Sequence, residues 1–115
     1  MKIEEYSELA LRTASDKSPL LHAVLGLADE TGELISPIKK HIFYGKTLDM
    51  GNLKEEAGDC AWFLNLLIHA IGSSWEEVLE MNIAKLEKRY PHLRFNADHA
   101  IHRDTAAEKA AMEGA

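Results

Sequence analysis

Apolar residues recur three and four positions apart along most of the chain, and no stretch alternates polar and apolar residues long enough to suggest a strand. The pattern predicts helix throughout. A first helix spans about residues 2 to 14, with Ile3, Tyr6 and Ala10 on one stripe, and ends in the polar run Ser15 to Ser18. Pro19 suits the first turn of a second helix, with Ser18 as its N-cap and Leu21, Leu25, Ala28, Leu34 and Ile35 along it. Pro37 interrupts that pattern. It predicts a break near Ile35, a restart capped by Ser36, and an end near Gly45. A third major helix starts after Asn52, paired with Glu55 as a capping box, and runs to Gly72 as its terminating glycine. A fourth is framed by Ser74 and Glu77 and stopped by Pro91.

The expected fold is therefore all-α, a four-to-five-helix bundle. Its third major helix contains AWFLNLLIHAIG, apolar on nearly every face, which is more than so small a monomer can bury. This implies a homo-oligomer, a dimer or tetramer, joined through the helices.

Composition narrows the function classes. At 115 residues there is room for one modest core, and 46% apolar with 28% charged residues is the balance of an ordinary globular chain. No run approaches the roughly 18 apolar residues of a membrane span, and the N-terminus is acidic where a secretory signal is basic, so no membrane partner and a cytoplasmic location are expected. The lone Cys60 cannot form an internal disulfide. A net charge of −6 argues against a nucleic-acid partner, whose phosphates need basic groups. A small phosphate-bearing ligand remains compatible, provided divalent metal screens the carboxylates.

Two acidic pairs carry candidate chemistry: Glu30 with Glu33 in ADETGEL, and Glu56 with Asp59 in KEEAGDCAW. The i, i+3 spacing puts each pair on one helix face. Two such helices side by side would point four oxygen donors into one pocket, a set suited to Mg²⁺ or Mn²⁺. With 19 acids in 115 residues, about three acidic i, i+3 pairs arise by chance, and Glu5/Glu8 and Glu77/Glu80 are of that ordinary kind. The two pairs differ in being embedded in apolar sequence, each with a glycine, Gly32 or Gly58, just before its second acid. A helix-interior glycine costs up to about 1 kcal/mol relative to alanine, so close helix approach or ligand access is the expected reason for both.

The chain resembles the MazG family of all-α nucleoside triphosphate pyrophosphohydrolases. Its pattern, EExxE followed after a gap by ExxD, is matched by Asp29, Glu30, Glu33, Glu56 and Asp59; LGLADETGEL, SPIKK, LKEEAGDCAWFLNLL and NIAKLEKRYP fall in the family's order. The likeness covers about residues 3 to 95. It implies a domain over residues 1–96 and a C-terminal tail over 97–115, either a short helix or disordered. It also implies Mg²⁺-dependent cleavage of a nucleoside triphosphate to the monophosphate and pyrophosphate, with Glu30, Glu33, Glu56 and Asp59 as metal ligands. Asp29, one methylene shorter than the family's glutamate, or Glu55 would take the proton of the attacking water. Asn82, Lys85 and Arg89 match NxxKxxxR, a stretch that looks like a phosphate grip, and their i, i+3, i+7 spacing independently places them on one face. Lys39 is a further phosphate candidate, and Trp62, three residues after Asp59, could stack on a base. Narrower activities on dUTP or dCTP, or on phosphoribosyl-ATP, stay open. A di-iron bundle needs an ExxH pairing that the chain lacks, and a non-enzymatic helical interaction module is the alternative of another class.

Overall fold

The computed structural model describes residues 1–115. It is all-helical, as the periodicity predicts, and divides into two compact units, residues 1–72 and 73–115.

The first unit contains α1 (Ile3–Leu11), α2 (Pro19–Glu33), α3 (Ile35–Tyr44) and α4 (Met50–Ala70). α2 packs along α4, and α1 lies against α4 as well. Helix α1 is shorter than expected. The Thr13 hydroxyl donates to the Ala10 carbonyl at 2.7 Å while Thr13 N bonds the same oxygen, tightening the last turn and ending the helix. α2 begins at Pro19 as expected, but Ser18 does not cap it: Ser18 adopts a left-handed conformation (φ 47°) and its side chain makes no cap bond. The break before Pro37 also falls slightly upstream. A proline ring clashes with the carbonyl four residues earlier, here that of Glu33, and α2 ends at Glu33. Ser36 is consequently not a cap but the second residue of α3, and Pro37 lies buried in the first turn, where a missing N–H leaves no intrahelical bond unmade. Gly45, at φ 64°, closes α3. α4 starts three residues before the expected point because Asp49 is its cap; the Asp49 Oδ1 accepts from Asn52 N at 3.0 Å, leaving Asn52 inside the first turn.

One contact sets the spacing of α2 and α4. The Phe63 ring fills the space that a Cβ on Gly26 would need. Gly26 is thus the glycine of close helix approach. Gly32 and Gly58 are not, since a Cβ at either would meet nothing within 4 Å. Asn65, 2% exposed, ties α1 to α4 by donating from Nδ2 to the Ser7 carbonyl at 3.3 Å. Few apolar side chains are fully buried: Ala10, Ala23, Leu66 and Ile68. Much of the exposed apolar surface lies on α2 and α3, where Leu21, Leu25, Ile35, Ile42 and Phe43 are each at least 60% exposed.

The second unit contains α5 (Trp75–Arg89), a tight turn at Pro91–Leu93, α6 (Ala97–Ile101) and α7 (Thr105–Glu113). Ser74 caps α5 as expected, its Oγ accepting from Glu77 N at 3.2 Å. Pro91 ends the helix by forcing Tyr90 into an extended conformation (φ −123°, ψ 92°). The C-terminal segment is helical, with Asn96 and Asp104 capping α6 and α7, and α7 packs along α5.

Replacing Gly26 with Ala should destabilise the fold although alanine is the better helix former. Overpacking of about 1–3 kcal/mol exceeds the propensity gain of about 1 kcal/mol. A thermal melt followed by circular dichroism should show a lower midpoint for Gly26→Ala; an unchanged or higher midpoint would mean that Phe63 moves aside freely.

Candidate functional site

Glu30 meets Glu56 and Asp59 because α2 and α4 run antiparallel against each other. Phe63 and Asp59 are one turn apart on α4, and Gly26 and Glu30 one turn apart on α2, so the register that seats Phe63 on Gly26 also sets Glu30 beside Asp59. Carboxylate oxygens of Glu30, Glu56 and Asp59 all lie within 4.8 Å of one another. Glu56 Oε2 is closed off from solvent and has no hydrogen-bond partner.

Three carboxylates this close resist simultaneous ionisation. The Glu30 carboxyl is pushed from the ordinary 4.5 up to about 6, first by burial, then by a proton shared with Glu56, then by the charges of Asp59, Glu56 and Asp29. Tyr6 of α1 borders the cluster: burial, and then the Asp59 charge, raise its phenol above the usual value and keep it protonated. Tyr6 was legible as an inward position of α1, one turn before Ala10, but nothing in the sequence linked it to Asp59. Glu33, the fourth acid of the expected set, lies outside the three-carboxylate group. It is exposed at the end of α2 and lines a polar recess of about 370 Å³ with Ser36, Lys40, Lys46, Asp49 and Asn52. Lys40, beside the Lys39 candidate, reaches this recess from α3.

Asp29 and Glu55 are exposed beside Glu30 and Glu56 in sequence. Lys39 is exposed on α3 with its ammonium 5.8 Å from the Tyr44 ring centroid. Trp62 packs edge-on against Phe63 and His22, at centroid distances of 4.9 and 6.0 Å, and its Nε1 donates to Thr13 Oγ1 at 2.9 Å. The indole is therefore anchored within the first unit.

The basic face belongs to the second unit. Asn82 is exposed and Lys85 and Arg89 are half-buried along α5. Arg89 Nε donates to Glu108 Oε1 at 2.9 Å, and Arg103 Nη2 reaches Glu108 Oε2 at 3.1 Å. Burial works to raise the Glu108 pKa, but the bonds and charges of the two arginines outweigh it and hold the carboxyl below its ordinary value.

The fold is all-helical with three convergent carboxylates. Residues 19–94 match the MazG nucleotide pyrophosphohydrolase domain, about two thirds of the chain, and the protein belongs to that family. The match leaves α1 and the segment from Phe95 onward outside it. No curated protein sequence and no solved structure matches the chain. No helix is long and apolar enough to cross a membrane.

The raised Glu30 pKa has a definite sign. The folded state holds this proton more tightly than the unfolded chain, so the group's contribution to stability is fully present below pH 4.5 and lost as pH rises through 6. In EDTA, thermal melts of the wild type and Glu30→Gln should converge near pH 4.5, with the variant relatively more stable at pH 7.5. Parallel pH dependence of the two proteins would contradict the shift.

Proposed function

We propose that this protein is a Mg²⁺-dependent pyrophosphohydrolase that converts a nucleoside or deoxynucleoside triphosphate to the monophosphate and pyrophosphate, in house-cleaning or control of the nucleotide pool. The observation that carries the reading is the convergence of Glu30, Glu56 and Asp59 around a buried carboxylate oxygen that lacks a partner. A buried, unpaired carboxylate oxygen is costly unless a proton or a cation takes it up, and a cation does so for all three carboxylates at once. The donors are all oxygen, which fits Mg²⁺, with Mn²⁺ as a substitute. Glu33, at the end of α2, is proposed as a further donor.

Bound there, the metal would screen the triphosphate and lower the pKa of a water. Asp29 or Glu55, both exposed, would accept the proton that this water loses as its oxygen bonds to phosphorus. The bond from that phosphorus to the bridging oxygen breaks, and pyrophosphate leaves. Asn82, Lys85 and Arg89 would hold the phosphates, with Lys39 a further contact, and Trp62 would offer a ring face to the base. The substrate class favours a cytoplasmic setting, and the net charge of −6 favours a small nucleotide over nucleic acid. We also propose a homo-oligomer, a dimer or tetramer: the exposed apolar surface of α2 and α3 far exceeds the four apolar residues fully buried. Sedimentation should then give at least twice the chain mass.

The test is pyrophosphate release from a panel of ribo- and deoxynucleoside triphosphates with Mg²⁺, Mn²⁺ or EDTA. Glu56→Gln should remain helical by circular dichroism and lose metal-dependent turnover by more than the roughly 10–100-fold that loss of a supporting residue costs. Full activity in the variant would remove Glu56 from the site. No release by the wild type from any nucleotide would leave a helical interaction module.

A further inference from the structure

Helix α7 buries a single residue along its length, and that residue is charged. Glu108 is 2% exposed, whereas the rest of TAAEKAAME is mostly small or polar. A helix needed only to cover α5 would be better served by an apolar side chain there, because a buried ion pair is often no more stabilising than well-packed apolar groups of similar volume. The carboxylate is instead fully committed. Oε1 accepts from Arg89 Nε at 2.9 Å, and Oε2 accepts from Arg103 Nε and lies close to its Nη2, both at 3.1 Å.

The bond on the Arg89 side has a directional consequence. It engages Nε, so the Nη1/Nη2 edge of the planar guanidinium is not consumed by Glu108. That edge can grip a phosphate bidentately. Arg89 lies one turn beyond Lys85 on the same face of α5, with its guanidinium carbon 5.8 Å from the Tyr90 ring centroid, so Glu108 and Tyr90 both border the group. Arg103 neutralises the second oxygen, which keeps Glu108 ionised without drawing further on Arg89.

We propose that Glu108, which lies beyond the residues matching the family, is a positioning residue that fixes the Arg89 guanidinium for a phosphate ligand. This rests on the reading that Arg89 grips substrate phosphate. Helix α7 would then be part of the working enzyme rather than an appendage.

A double-mutant cycle on the full chain tests it, with kcat/KM for a hydrolysed triphosphate and inhibition by inorganic pyrophosphate as readouts. Glu108→Gln should lower kcat/KM by about tenfold and weaken pyrophosphate inhibition in parallel, whereas on the Arg89→Ala background it should change kcat/KM by less than about twofold. A helix anchor acting only through stability would lower the melting midpoint and cost the same factor on both backgrounds, which would overturn the proposal. So would wild-type kcat/KM in Glu108→Gln. Glu108→Asp, which keeps the charge but shortens the reach, carries the same cycle if the glutamine variant does not fold. A wild type that hydrolyses no triphosphate would remove the functional reading and this one together. Turnover by the wild type with no Arg89–Glu108 coupling would remove this one alone.

Discussion

The seating of the Phe63 ring on Gly26 is the constraint on which the carboxylate site depends. It sets how closely α2 and α4 approach and in which register, and one turn away the same register brings Glu30 to Asp59 and Glu56. Packing thereby holds charges together that would separate if the helices were free to slide. Burial first, then the hydrogen bond to Glu56 and the neighbouring charges, push the Glu30 carboxyl up to about 6. A cation bound among the three carboxylates would relieve that repulsion.

The second unit solves the opposite electrostatic problem. Here a buried carboxylate from α7 pairs with Arg89 of α5 and with Arg103. The first unit thus gathers carboxylates, and the second surrounds one carboxylate with two arginines.

Much of this was legible in the chain, for physical reasons that differ from element to element. Ser74 and Pro91 framed α5 correctly because capping and proline sterics are local. The i, i+3 spacing of the two acidic pairs is readable in the sequence because it is local, but which acids meet is not: Glu33, at the end of α2, lies outside the group of Glu30, Glu56 and Asp59. Asn52 and Asp49, one turn earlier, compete as caps of α4, and only the fold selects Asp49. The break at Pro37 falls after Glu33 rather than near Ile35 because the clash lies four residues back, not at the proline itself. Gly32 and Gly58 drew attention through their acidic neighbours, while Gly26, the glycine under steric pressure, stands in unremarkable apolar sequence. Its partner is 37 positions away, and no local pattern reports it. Glu108 was hidden in the same way: an acid in an alanine-rich helix looks solvated until its two arginines are in place.

The Gly26–Phe63 contact also bears on how this protein can vary. A position with no side chain performs no chemistry, yet the geometry of the acids is inherited from it. Drift at residue 26 is therefore confined to changes that the Phe63 ring makes room for, so two positions far apart in the sequence constrain each other.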